Sequence, residues 1–148
     1  MSDYIIRMIP SDPYLKIPEQ TLESAKDLLA RKIVCDRIQI RSSNEPSFID
    51  CGSNLHSISC PYCGNKIDLS WWGKEMDKAY NNYFASLDVC LPCCKKESSL
   101  NDLKYDFPCG FACSVVEVLN PSGEITEGLQ EQIREIIGSP IRMIYVHI

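Results

Sequence analysis

Two short stretches concentrate the residues able to do chemistry, Cys60-Pro61-Tyr62-Cys63-Gly64 and Cys90-Leu91-Pro92-Cys93-Cys94. They hold five of the nine cysteines in a chain of 148 residues. Paired thiols at this spacing serve one of two chemistries. They cycle between dithiol and disulfide, or they ionise and supply two corners of a tetrahedral metal site.

Local context separates the two. Cys-Pro-Tyr-Cys is the redox motif of glutaredoxins, in which a helix begins at the first cysteine and lowers its pKa. Here Gly64-Asn65 is a turn pair, and Lys66-Ile67-Asp68-Leu69 reads as a short strand. No helix is predicted to start at Cys60, and the likeness to glutaredoxin ends after four residues. The metal reading explains more. In a Cys-Pro-x-Cys-Gly loop both sulfurs face one point, and glycine takes the positive φ of the tight turn. A second pair downstream completes an S₄ site suited to structural Zn²⁺. Cys90 and Cys93 have the regular spacing, whereas Cys93 and Cys94 are adjacent, which a tight turn also permits. Spacing alone favours Cys90 as the fourth ligand.

The other candidates are weaker. Cys35, Cys51, Cys109 and Cys113 lack partner spacing and are expected to be small buried hydrophobes. Cys109 and Cys113 have no matching second pair. His56, four residues before Cys60, is a possible ligand of a Cys₃His site, although a surface or capping role suits it better. His147 has no acidic or nucleophilic neighbour in sequence. Asp102, Tyr105 and Asp106 are the carboxylates and phenol on which an enzyme reading would rest. The competing role for Asn101 and Asp102 is to cap a turn. There is no phosphate-binding glycine loop, Walker motif or nucleophile elbow.

The elements around these residues follow from periodicity. Tyr4 to Ile9 reads as a strand ended by Pro10, and Pro18 to Ile33 as an amphipathic helix. Arg37 to Arg41 alternates as a half-buried strand, which Ser47 to Asp50 continues past a bulge or turn. Ala112 to Leu119 is a β-branched strand. Leu129, Ile133, Ile136 and Ile137 mark a helix stopped by Gly138, and Ile141 to Ile148 is a last strand. The outer parts therefore read β-α-β twice. That is the order of an α+β, ferredoxin-like (split βαβ, βαββαβ) scaffold over residues 1–53 and 109–148, each helix covering one face of a four-stranded antiparallel sheet. Residues 54–108 form a zinc-ribbon-like insertion between the second and third strands. Its one helix is started by Ser70 and places Trp72, Met76, Ala79, Tyr80, Tyr83 and Phe84 on one face as core. The chain shows no internal repeat.

The ordered features CPYCG, SWWGKEMDKAY, PCC, SLNDLKYDFP and GFA are similar to a family of bacterial proteins of uncharacterised activity with a zinc-ribbon-like insert. The resemblance spans most of the chain and is most specific in its middle third. It implies Cys60, Cys63, Cys93 and Cys94 as the ligands, against the spacing argument for Cys90. Lys95 stands where that pattern has glycine.

Composition bounds the function. Fifteen Lys and Arg against twenty Asp and Glu give a formal charge of -5, with no basic block beyond Lys95-Lys96. Nucleic-acid binding is therefore disfavoured. Lys66, Lys95 and Lys96 follow the cysteine clusters closely enough to offset thiolate charge. No apolar run approaches a membrane span and no signal peptide is evident, so a cytoplasmic, non-membrane protein is expected. An odd number of cysteines without an export signal favours metal over disulfides. These features together predict a non-enzymatic, protein-binding module with structural zinc. A small carboxylate enzyme and a thiol redox protein are the alternatives.

Overall fold

The computed structural model describes residues 3–147. The elements in chain order are β1 (Tyr4–Pro10), α1 (Glu19–Lys32), β2 (Arg37–Ile49), β3 (Ile58–Ser59), α2 (Leu69–Asn81), β4 (Asp88–Cys90), β5 (Glu97–Ser99), β6 (Lys104–Tyr105), β7 (Gly110–Leu119), α3 (Glu127–Ile137) and β8 (Ile141–His147). Ile148, expected to end the last strand, lies outside the described residues. β2, β7, β1 and β8 make one antiparallel sheet in that order. The first strand is thus paired with both β7 and β8. The Arg37–Arg41 and Ser47–Ile49 segments form one strand, with a register shift between Ser42 and Ser47. That irregularity falls on Asn44-Glu45-Pro46, since a proline cannot donate to the ladder.

Neighbouring residues of a strand face opposite sides of the sheet, and the two cores follow that alternation. Ile6, Met8, Ile38, Val116 and Val118 pack with Leu22, Ala25 and Leu29 of α1 and Leu129 and Ile133 of α3. Both helices therefore share one face of the sheet, rather than taking one face each. Two β-α-β crossovers of the same right-handed sense reach a single face when their strands interleave. Ile5, Ile9, Val115, Ile144 and Val146 make the other face, with Ile49, Cys51 and Cys109. β7 is central and nearly all buried, as a strand packed on both faces must be.

The stretch between β2 and β7 carries α2 and two small two-stranded sheets, β3 with β6 and β4 with β5. Its core is Ile58, Ile67, Phe84, Leu87, Val89, Leu91, Leu100 and Leu103, closed by Phe111 of β7. Phe48 of β2 packs against Phe111 and Trp72, ring centroids 5.2 and 5.8 Å apart. The helix starts differently from expectation. Asp68, not Ser70, is the cap, and it accepts hydrogen bonds from the Ser70 N–H and hydroxyl. The apolar stripe also stops early. Phe84 is buried, but Tyr80 and Tyr83 lie past the core edge, 69% and 68% exposed.

A buried polar group pins the insertion to the sheet. Asn101, only 4% exposed, accepts from the Phe111 N–H at 3.0 Å and donates to the Ser11 carbonyl at 3.2 Å. Arg142 Nη1 donates to the carbonyls of Asn101 and Cys109 at 3.1 and 2.8 Å. Gly110 sits under this knot. A Cβ there would lie 2.6 Å from Arg142 Nη1 and 2.9 Å from Asn101 Oδ1. Gly110→Ala is expected to lower the unfolding free energy by about 1–3 kcal/mol and so move the denaturant midpoint down. Asn101→Ala, which strands the Phe111 N–H, is expected to cost about as much. Unchanged midpoints in equilibrium unfolding would contradict the pinning role.

Candidate metal centre

Each cysteine loop is the tip of a small hairpin. In the first, the Cys60 N–H donates to the Asn65 carbonyl at 2.8 Å, and the Gly64 N–H to the Cys60 carbonyl at 3.1 Å. In the second, the Leu91 N–H donates to the Lys96 carbonyl at 2.9 Å, and the Lys95 N–H to the Leu91 carbonyl at 3.0 Å. Gly64 and Lys95 occupy the same left-handed conformation, φ 75° and 63°. The bridges below the loops match as well, Ser59 with Lys66 and Cys90 with Glu97. The loops Cys60–Gly64 and Leu91–Lys95 are therefore one backbone structure built twice, contrary to the expectation of no internal repeat, because Leu91 stands where Cys60 does and hides the likeness.

Position for position, Pro61 matches Pro92, Cys63 matches Cys94 and Cys60 matches Leu91. Cys60 and Leu91 are both buried, 1% and 0% exposed. Cys93 takes the place of Tyr62. Cys90 corresponds to Ser59, one residue before the turn on the incoming strand. Its sulfur turns away to the Lys95 carbonyl at 3.6 Å. The ligand-bearing atoms of Cys60, Cys63, Cys93 and Cys94 all lie within 4.8 Å of one another. The sulfurs of Cys63 and Cys93 are 3.4 Å apart, and those of Cys60 and Cys94 3.7 Å. These four side chains can coordinate one metal ion. Regular Cys-x-x-Cys spacing pointed to Cys90 and missed the offset. Aligning the stretches on their prolines would have found it.

The four thiols are not equivalent. Cys60 is buried and Cys94 half-buried, while Cys63 and Cys93 are exposed. Cys60 Sγ accepts the N–H groups of Tyr62 and Cys63, both at 3.4 Å. Burial opposes ionisation of Cys60, but these N–H groups and the neighbouring thiols outweigh it and bring its pKa down to about 6. Desolvation, reinforced by Cys63 and Cys60, pushes Cys93 up to about 12. Four sulfurs this close cannot all be thiolates without a cation between them. At the rim, the Lys96 ammonium lies 5.2 Å from the centre of the Tyr62 ring.

The remaining candidates lie apart from this group. His56 is exposed, and its backbone N–H donates to both carboxylate oxygens of Asp106 at 3.1 Å. The Phe107 N–H adds a third bond to Asp106. Burial works against the Asp106 carboxylate, yet these N–H groups lower its pKa overall. Tyr105 donates to the Leu100 carbonyl at 2.6 Å and accepts from the Trp72 indole at 3.2 Å, and burial raises its pKa. Asp102 is exposed. His147 stacks on Tyr4, ring centroids 4.7 Å apart. Cys51, Cys109 and Cys113 are buried in or beside the sheet, and burial raises the pKa of each thiol. Cys35 is half-buried against the α1 core. Compared with known protein families, curated proteins and solved structures, the chain gives no match.

Cys94→Ser is expected to abolish stoichiometric metal binding and lower the melting temperature sharply, because binding energy at such a site is also folding energy. Cys90→Ser is expected to keep the metal and melt close to the unsubstituted chain. The reverse pattern in elemental analysis and calorimetry would assign Cys90 instead. Lys95→Gly is expected to stabilise the metal-bound chain by up to about 1 kcal/mol, since a lysine pays a steric cost in this conformation that glycine escapes. A lower melting temperature would contradict that account.

Proposed function

We propose that this chain is a non-enzymatic, protein-binding module, a ferredoxin-like scaffold bearing a zinc-ribbon-like insertion over residues 54–108 whose single Zn²⁺ is structural. The observation that carries the reading is the convergence of Cys60, Cys63, Cys93 and Cys94 from two equivalent loops. An all-thiolate set of four suits Zn²⁺, and it leaves no coordination position for an activated water. Strand order β2-β7-β1-β8 with two helices on one face supports the scaffold assignment. The proposed setting is the cytoplasm. No helix among the described residues is long and apolar enough to cross a membrane.

The binding reading draws support from an aromatic surface beside an open cleft of about 700 Å³. Ser43 to Ser47 of β2 form one wall, and Tyr80, Asn81, Tyr83 and Phe84 the other. Exposed aromatic rings at the rim of a cleft are enriched at protein interfaces. The Tyr14 hydroxyl donates to the Phe84 and Ala85 carbonyls and fixes the turn that presents these rings. The enzyme alternative loses support where it needed it. The Asp106 carboxylate is engaged by backbone N–H groups, and the Tyr105 hydroxyl is committed to Leu100 and Trp72.

Protein purified without added metal should contain about one equivalent of zinc by elemental analysis. Less than about half an equivalent, with no other metal in its place, would refute the metal reading. Affinity capture with the intact chain and with the Tyr80→Ser, Tyr83→Ser double variant tests the binding surface. A partner retained equally by both would place recognition elsewhere.

A further inference from the structure

We propose that in the metal-bound chain, where the cation holds all four sulfurs as thiolates, Cys63 and Cys93 are the peroxide-reactive pair, whose oxidation to a disulfide opens the metal site and releases the ion. The inference rests on the four-cysteine metal reading and adds a chemistry to it. Three observations point to this pair. Both cysteines are exposed, while Cys60 is buried and Cys94 half-buried. Their sulfurs lie 3.4 Å apart, so a bond of about 2 Å requires them to approach by about 1.4 Å. Their sulfurs, like that of Cys94, also lack the backbone cover that Cys60 has.

The repeat of the loop explains why Cys60 alone has that cover. In the first loop the N–H groups of the third and fourth positions, Tyr62 and Cys63, point to the sulfur at the first position. In the second loop the first position is Leu91, so there is no sulfur there to receive them. Among the described residues, Cys60 is the one member of the cluster whose sulfur accepts backbone N–H bonds. A thiolate held by N–H donors is a poorer nucleophile than one without them, because the donors stabilise its charge. Missing donors separate Cys63, Cys93 and Cys94 from Cys60, and exposure then directs an electrophilic oxidant to Cys63 and Cys93 rather than to the half-buried Cys94.

The step balances with hydrogen peroxide as the oxidant. One thiolate attacks a peroxide oxygen, the O–O bond breaks, and a sulfenic acid forms as hydroxide leaves and takes up a proton to become water. The other thiolate attacks the sulfenic sulfur, the S–S bond forms, and the departing hydroxide takes up a second proton. Two thiolates, one peroxide and two protons become one disulfide and two waters. The ion keeps two protein ligands, Cys60 and Cys94, too few for a closed site.

The test treats the metal-bound full chain with hydrogen peroxide, follows released zinc with a chromogenic chelator, and maps disulfides by mass spectrometry of non-reduced peptides. The expected result is release of about one equivalent of zinc together with a Cys63–Cys93 linkage, reversed by dithiothreitol and added zinc. Cys90→Ser is expected to release zinc at the same rate. Retained zinc under excess peroxide, a linkage at Cys60–Cys94 or Cys51–Cys109 instead, or loss of release in Cys90→Ser would each overturn the proposal. Zinc content before treatment separates this outcome from failure of the metal reading. A chain purified without metal refutes that reading and this proposal together, whereas a zinc-loaded chain that resists peroxide refutes this proposal alone.

Discussion

Four sulfur atoms drawn within 4.8 Å from two separate hairpins are the constraint on which the insertion depends. β4 and β5 flanking one loop have three residues each, and the other loop runs from the two-residue β3 to the single bridging residue Lys66. Two-stranded ribbons of this length are not stable alone in water. Their loops also bring together four sulfurs that repel one another once ionised, because they lie within 4.8 Å of one another. A cation reverses that balance and turns a destabilising cluster into a cross-link. The proposed Zn²⁺ has the charge and the preference for sulfur to do so.

The proposed cross-link would act on a body that is tied to the sheet at its other end. Phe111 and Phe48 close the insertion core from strands β7 and β2, and Asn101 with Arg142 fixes the neck. The segment between β2 and β7 is thus held at its base by side chains, and the proposed metal would hold it at its tips. Between them α2 runs from its Asp68 cap to Asn81, followed by a left-handed turn at Tyr83 and Phe84. Phe84 anchors that turn in the core, which leaves Tyr80 and Tyr83 outside. A rigid support for exposed rings is the property a binding surface requires, because ordered side chains lose less entropy on association.

Much of this architecture was legible in the sequence. The outer helices and strands announce themselves by period, by Gly138 as a stop and by the β-branched run at β7. Three of the four clustered cysteines, Cys60, Cys63 and Cys93, follow from loop chemistry. Cys94 was harder, because the second loop keeps its hydrogen bonds and its proline while replacing its first cysteine with Leu91. Backbone geometry preserved the repeat where side-chain identity did not, and spacing rules count only side chains. The face chosen by the helices depends on crossover handedness, which no local pattern encodes. The exposure of Tyr83 depends on where the helix ends, and Asn82 ends it before the apolar stripe does, while Tyr80 is exposed although it lies within the helix. The Asn101–Arg142 knot joins residues far apart in sequence and has no local signature at all.

X-ray absorption at the zinc edge, on the chain as purified, tests the central claim most directly. The account predicts a first shell of four sulfur atoms at about 2.3 Å, with no nitrogen or oxygen scatterer. A shell of three sulfurs with a nitrogen near about 2.0 Å would bring in a histidine and contradict the four-cysteine site.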